Sequence, residues 1–379
     1  MSTLIRHGRV ALDGNLQAKD VLVAEGRIAA ILEPGSGAAE RIIDAKGCYV
    51  LPGFMDFHTH VDDRIGPYYL ADTYASATAV GVANGVTTLC TFVTQEPQER
   101  LAQALTRARA KAEGTSHADV LWHLTPTTFS AGDMADLRAL VAGGYRTIKL
   151  YTTYKSAGIY ASYERIDTLF RELGDLGGCF MVHCEDDATI EAMDVSKVDL
   201  SKASAHAALR PEVAETLAIE RVTALAKAHG VALHVVHVST LGGAQHLVAQ
   251  RPSVDLSFET CPQYLFLDEG WLAREDGHRW LCSPPLRGNR APFVELIREG
   301  AADMLATDHC PFCRAHKDAW DGKDYRAVPN GLPGLGALPH LAWKLWEDDA
   351  DHAALQLATH LSLNPARRAG LADRKGAIR

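Results

Sequence analysis

The sequence predicts an α/β fold, a (β/α)8 barrel of the TIM type with a small N-terminal β-subdomain. Three observations lead there. Eight short apolar strands recur between residues 53 and 308, helical patterns fill the gaps between them, and residues 1–50 have a separate, hairpin-like texture. Strands that alternate with helices build a parallel sheet, and eight such units close a barrel. A doubly wound open sheet is the runner-up for the same alternation.

Taken in order, residues 1–52 form the expected β-subdomain. "TLIRHGRVAL", "KDVLVAEGRIAAIL" and "ERIIDAKGCYV" are β-rich and broken by Gly, Asp and Asn, as hairpin strands are. "LPG" at 51–53 makes a turn, and the barrel is expected over 53–336. Its strands are expected at 53–58, 85–93, 119–126, 146–153, 179–185, 231–239, 253–259 and 302–308. Helices such as "LAQALTRARAKAE", "YERIDTLFREL", "PEVAETLAIERVTALAKAHG" and "NRAPFVELIREG" lie between them. A Gly- and Pro-rich loop follows residue 308. Residues 337–379 then hold helices near 337–348 and 351–361 and start a return towards the β-subdomain.

Composition narrows the function. The chain has 379 residues, 47% of them hydrophobic, enough for a large core. Its net charge of −9 speaks against nucleic acid, whose phosphates favour a basic face. No run of about 18 apolar residues is present to span a membrane. The opening "MSTLIRHGRV" has no apolar signal-peptide core. The eight cysteines are thinly spread, several inside apolar runs, and read as buried thiols of a cytoplasmic protein.

The polar residues at strand ends carry the chemistry. Residues two apart on a strand share a face, so His58 and His60 of "GFMDFHTH" can both point into the barrel mouth. Barrel enzymes place their chemistry at that end. Alone, an H-x-H pair is equally compatible with packing. The pattern repeats, however. His183 ends the fifth strand, His237 the sixth and Asp308 the eighth; His234 falls on the other face and reads as packing. Imidazoles and a carboxylate converging on one mouth suit a borderline divalent metal such as zinc. Lys149, inside the apolar fourth strand, is open to two readings. It snorkels at a strand edge, or burial among cations holds it neutral and lets it react with carbon dioxide to a carbamate, an anionic two-oxygen ligand.

Taken together the motifs are familiar. "VLPGFMDFHTHVD", "KLYTTY", "VHCEDD", "VVHVS", "ETCPQYLFLD", "SPPLR", "TDHCPF", "PNGLPG" and "NPARRAGLADRKGAI" follow one another along residues 5 to 378. In this order the chain resembles the cyclic amidohydrolases of the amidohydrolase superfamily, most closely the dihydropyrimidinase/D-hydantoinase branch. The resemblance implies a metal-dependent hydrolase that opens a cyclic amide, a hydantoin- or dihydropyrimidine-like ureide or imide ring. It implies two divalent ions, zinc. His58, His60 and Asp308 would hold one, His183 and His237 the other, and carbamylated Lys149 would bridge them with a hydroxide. Asp308 would shuttle the proton, Tyr154 would bind the developing oxyanion, and Ser283 and Asn330 would hold the ring's ureide edge through backbone groups. Without the resemblance Ser283 and Asn330 read as ordinary turn residues. Relatives assemble as dimers and tetramers, so a homo-oligomer acting on a small-molecule cyclic amide is expected.

Neighbouring branches differ at particular places. Dihydroorotases carry an arginine two residues after the second histidine and allantoinases usually an asparagine; here Asp62 stands there. "DDRIGPYYLADTY" departs from the Gly-rich loop of typical hydantoinases, which leaves the preferred ring substituent open. "CPFC" with His316 is an incomplete zinc motif. Some relatives are non-catalytic scaffolds with substituted ligands, whereas all six ligand positions here carry competent donors. In relatives the N-terminal sheet is completed by strands that follow "RKGAI"; this sequence ends at Arg379. The expectation is a composite sandwich lacking its C-terminal part, with its open side covered by another subunit or unusually mobile.

Overall fold

The computed structural model describes residues 1–379. Five strands, β1 (Ser2–Leu12), β2 (Asn15–Ala24), β3 (Arg27–Leu32), β4 (Arg41–Asp44) and β5 (Tyr49–Val50), form one sheet. β1–β2 and β2–β3 are antiparallel hairpins, and β4 and β5 join β1 in parallel. Both hairpins turn on a residue pair in the left-handed region, Asp13-Gly14 and Glu25-Gly26, the geometry that matches strand twist. One face packs Val10, Leu12 and Val21 against Ile378. The sheet is tied to the helix Ala350–Ala358 through Asp351, which accepts from Arg9 Nη2 at 2.6 Å and Tyr49 Oη at 2.7 Å. It is a single sheet, not a closed sandwich.

Strands β6 (Phe54–Thr59), β9 (Val86–Thr94), β10 (Asp119–Thr125), β11 (Thr147–Tyr151), β12 (Cys179–His183), β13 (Ala232–Val235), β14 (Leu256–Thr260) and β15 (Met304–Leu305) lie side by side in chain order, all parallel. A bridge between Thr59 and His309 joins the last to the first, and His60 N donates to His309 O at 2.7 Å. The eight units thus close a TIM-like barrel. A two-strand hairpin, β7 (Arg64–Ile65) with β8 (Tyr68–Tyr69), sits on its rim.

The helices follow the expected stripe. In Tyr163–Leu173 Ser162 caps the first turn, and Ile166, Leu169, Phe170 and Leu173 face the barrel. Ile148, Leu150, Phe180, Val182, Leu233 and Val235 belong to the core shared with the helices. Met55, Phe57, Phe92, Met181 and Met304 form a second core inside the barrel. Most strands are shorter than the sequence suggests, and two lose five residues each, Ala232–Val235 and Met304–Leu305. The backbone turns beyond them, because His237 (φ 40°) and Asp308 (φ 49°) sit in the left-handed region. The simple two-residue alternation therefore misplaces His234. It lies inside the barrel against Phe57, ring centroids 5.5 Å apart, not on the outer face.

Candidate active site

The mouth at the C-terminal ends of the strands opens a cavity of about 410 Å³. His58, His60, Lys149, Tyr154, His183, His237, Ser283, Asp308 and Asn330 all line it. Nine side chains scattered over 273 positions of sequence meet in one hollow: seven lie in or within three residues of a barrel strand, and Ser283 and Asn330 come from the long loops that follow the last two. A second cavity, about 470 Å³, opens at the opposite end of the barrel beside Arg146 and Arg367, and none of the nine reaches it.

The first group is His58, His60 and Asp308. Asp308 Oδ1 lies 3.2 Å from His58 Nε2 and 3.3 Å from His60 Nε2. One donor atom from each of the three falls within 4.8 Å of the others. His58 Nε2 is buried and has no hydrogen-bond partner, which is how a nitrogen reserved for a cation looks. Its other nitrogen, Nδ1, is held by Glu259. Burial alone would raise the Asp308 carboxyl, but the imidazoles of His58 and His60 outweigh it and hold the group well below the usual carboxylate range.

The second group is His183 and His237, with Nδ1 of the first 2.9 Å from Nε2 of the second. His183 Nε2 bonds Glu185 Oε2 at 2.7 Å, so Nδ1 is the nitrogen left to face His237. Burial pushes the His237 imidazole well below its usual range, so it stays a neutral donor. The His58 and His237 rings stand 5.3 Å apart, which makes the two groups neighbours.

Lys149 lies beside both groups. It alternates on β11 with Thr147 and Tyr151, while Ile148 and Leu150 face the helices. Its side chain is 1% exposed, and Nζ stands 4.7 Å from the Phe92 ring and 4.9 Å from that of Tyr151. Burial lowers the amine to about 8. Tyr154, at φ 71°, turns its ring to within 5.0 Å of the His183 ring. Burial keeps its phenol protonated, hence a donor. Across the cavity Asn330 Nδ2 approaches Ser283 Oγ at 3.4 Å, and Asn330 Oδ1 is buried without a partner. The donor set of imidazoles, a carboxylate and a lysine fits divalent ions.

Several supporting residues escaped the sequence reading. Glu259 bridges His58 and His234, the latter at 3.1 Å. Glu185 stands behind His183. Asp56 accepts from Thr307 N at 3.0 Å and from Thr307 Oγ1 at 2.6 Å, bonding the first strand to the eighth. The signal was a buried acid within an apolar strand, as in "FMDFH" and "DLSFE". Asp62 turns away from the cavity and pairs with Lys111 at 3.0 Å. Asp63, Arg64 and Ile65 line the rim instead. Ile65 and Tyr68 of the rim hairpin pack on Leu70, Cys310 and Phe312. The "CPFC" zinc motif does not form. Cys310 is buried, Cys313 is exposed, and the sole cluster of three candidate ligands is the one around Asp308.

A closed barrel with this cluster at its C-terminal mouth fits the class of metal-dependent barrel enzymes. Comparison with known proteins makes it specific. The model of the amidohydrolase family matches residues 49–379. A D-hydantoinase of Streptomyces coelicolor is 30% identical over 99% of this chain and 83% of its own length. A D-phenylhydantoinase of Escherichia coli is 32% identical over all of this chain and 83% of its own. Among solved structures a D-hydantoinase superposes with TM-score 0.94 at 27% identity, covering 100% of this chain and 84% of that one. The dihydropyrimidinase of Brevibacillus agri gives TM-score 0.93 with the same identity and coverage. The chain belongs to the amidohydrolase family, in its hydantoinase/dihydropyrimidinase branch, and is a metal-dependent cyclic amidohydrolase. No helix is long and apolar enough to cross a membrane.

Proposed function

We propose that this chain hydrolyses a hydantoin- or dihydropyrimidine-type ring, a cyclic ureide or imide, to an N-carbamoyl amino acid or half-amide. The observation that carries the reading is the single cavity lined by all nine residues. His58, His60 and Asp308 would hold one zinc ion, His183 and His237 the other. Lys149 would bridge them after its neutral amine adds carbon dioxide, losing a proton to give the carbamate. Two such ions would supply polarisation of the amide carbonyl and an acidified water.

The chain's own residues do the rest. Ser283 and Asn330 hold the ureide edge and orient the ring against the attacking water. Asp308, kept as a carboxylate by its imidazole neighbours, accepts the water's proton and returns it to the leaving ring nitrogen. Tyr154, kept protonated, donates to the oxygen that becomes an oxyanion. The rim residues Arg64 and Ile65 stand where a ring substituent emerges.

A division at 1–52, 53–336 and 337–379 suits this arrangement, since every proposed site residue falls in the middle segment. Free cysteines throughout fit a cytoplasmic setting. A homo-oligomer would cover the open side of the small sheet.

The test is a ring-opening screen with hydantoin, 5-substituted hydantoins, dihydrouracil, dihydroorotate, allantoin and phthalimide-like imides. Turnover of hydantoins or dihydrouracil is expected. Dihydroorotate should be poor, because Asp62, paired with Lys111, supplies no cation for its carboxylate. Dihydroorotate as much the best substrate would overturn the assignment.

A further inference from the structure

The short helix Ala205–Leu209 and the arginine that follows it contain no residue that the proposed reaction uses. Two of its side chains nevertheless back the cavity wall. Arg210, its side chain 12% exposed, donates to Glu185 from Nε at 3.0 and 3.2 Å and from Nη2 at 2.6 Å. Glu185, fully buried, accepts in turn from His183 Nε2 at 2.7 Å. The same guanidinium stands 5.0 Å from the centre of the Tyr154 ring. One turn earlier, buried His206 donates from Nε2 to Cys282 O at 2.8 Å and lies 3.1 Å from Ser283 Oγ. Arg287 Nη1 ties the segment down by donating to Arg210 O at 2.5 Å.

We propose that Ala205–Arg210 is a positioning element for two walls of the cavity. Arg210 sets the His183 imidazole through Glu185 and seats the Tyr154 ring, and His206 seats Ser283. The inference rests on the roles proposed above for those three residues.

The physics separates the two side chains. A carboxylate behind an imidazole decides which ring nitrogen keeps its proton and which offers a lone pair. Glu185 does this for His183, and it leaves Nδ1 facing His237. Glu185 is itself a buried charge, and the planar fork of Arg210 holds both its oxygens in one orientation. The guanidinium over the Tyr154 face adds a cation–π contact that fixes the ring. Arg210 therefore acts on the affinity for metal and on the oxyanion donor. His206 touches neither. It fixes the turn at Cys282-Ser283, so it acts on the grip on substrate.

The test uses the full chain in four forms: wild type, Arg210→Met, Arg210→Lys and His206→Gln. Circular dichroism checks folding, competition with a chromogenic chelator gives zinc affinity, and ring opening of hydantoin gives kcat and KM. Arg210→Met should weaken zinc binding about 10- to 100-fold, the usual effect of losing a group behind a ligand, and lower kcat. Arg210→Lys should recover part of the zinc affinity, since it restores the charge without the fork. His206→Gln should keep wild-type zinc affinity and a kcat within about threefold while KM rises about tenfold, the loss of roughly one substrate hydrogen bond. Wild-type zinc affinity in folded Arg210→Met would overturn the proposal, and so would an unchanged KM in His206→Gln or one common effect of both. If Arg210→Met fails to fold, Arg210→Lys decides, for wild-type zinc affinity there would equally overturn it. If wild type opens no ring, the proposed function falls. The zinc affinities then still decide the Arg210 half, and calorimetric binding of hydantoin decides the His206 half.

Discussion

Two lysines are buried in this protein, and their partners differ. Lys317 donates to Arg279 O at 2.9 Å and Leu281 O at 3.2 Å, so its ammonium is satisfied. Lys149 has aromatic faces beside it, and no carboxylate lies within 4 Å of its Nζ to form an ion pair. A buried cation without an anion is costly unless the group changes its chemistry. Carbamylation, as proposed, would make it an anion among imidazoles, a far better match. Mass spectrometry under native conditions with added bicarbonate and zinc should therefore find one carbon dioxide per chain, absent in Lys149→Ala. That variant should lose ring opening and regain some with added short carboxylic acids. An unmodified Lys149 in a fully zinc-loaded chain would count against the reading. Just past the end of the same strand, Tyr154→Phe should lower kcat about 10- to 1000-fold, the range for one oxyanion donor, with KM little changed.

At the level of elements, the strand ends do the aiming. His237, Asp308 and Tyr154 all adopt left-handed backbone conformations just past their strands. Such conformations are unfavourable for side chains with a Cβ and persist where the surroundings enforce them, often at working sites. Asp56 and Thr307 enforce one of them by bonding β6 to the segment that carries Asp308. Thr307→Val removes the hydroxyl and leaves a buried Asp56 oxygen short of a donor. Chemical denaturation should show a loss of about 1–3 kcal/mol. A loss near zero would mean the bond does not hold the barrel closed.

The same elements explain what the sequence made legible. All eight strands could be read because their apolar runs are bounded by helical patterns, and the ligand candidates could be read because the histidines and Asp308 fall at or just past strand ends while Lys149 interrupts an apolar strand. His234 packs as expected, but on the inner face, because alternation fails where the backbone leaves the extended region before His237. Glu259, Asp56, Arg210 and His206 stayed hidden for another reason. Their partners lie far along the chain, as with His58 and Glu259, which are 201 positions apart. Only the closed barrel brings such pairs together, and spacing along the sequence carries no trace of it.

Over the whole molecule, the small sheet and the barrel share one side of contact. Ile378 completes the apolar face of the sheet, and Asp351 anchors its edge through Arg9 and Tyr49. The strand Arg41–Asp44 faces solvent, with Ile42 49% and Ile43 40% exposed. Light scattering on the purified chain should report an oligomer that buries this face. The barrel, in turn, would be stabilised by its ions, because anything that binds the folded state alone raises stability by about 4 kcal/mol at a thousand times its Kd. Removing metal with a chelator should accordingly lower Tm by several degrees, and zinc should restore it. No change in Tm on chelation would deny the ions a place in the fold.

In the proposed reaction one cavity uses two ions for one hydrolysis. The measurement that tests it most directly is ring-opening rate against zinc added to the metal-free chain, in wild type and Asp308→Asn. Activity should rise to a plateau at two zinc ions per chain in wild type and stay at background throughout in Asp308→Asn. Full activity without metal would contradict it, and so would no turnover of any cyclic amide with both ions bound.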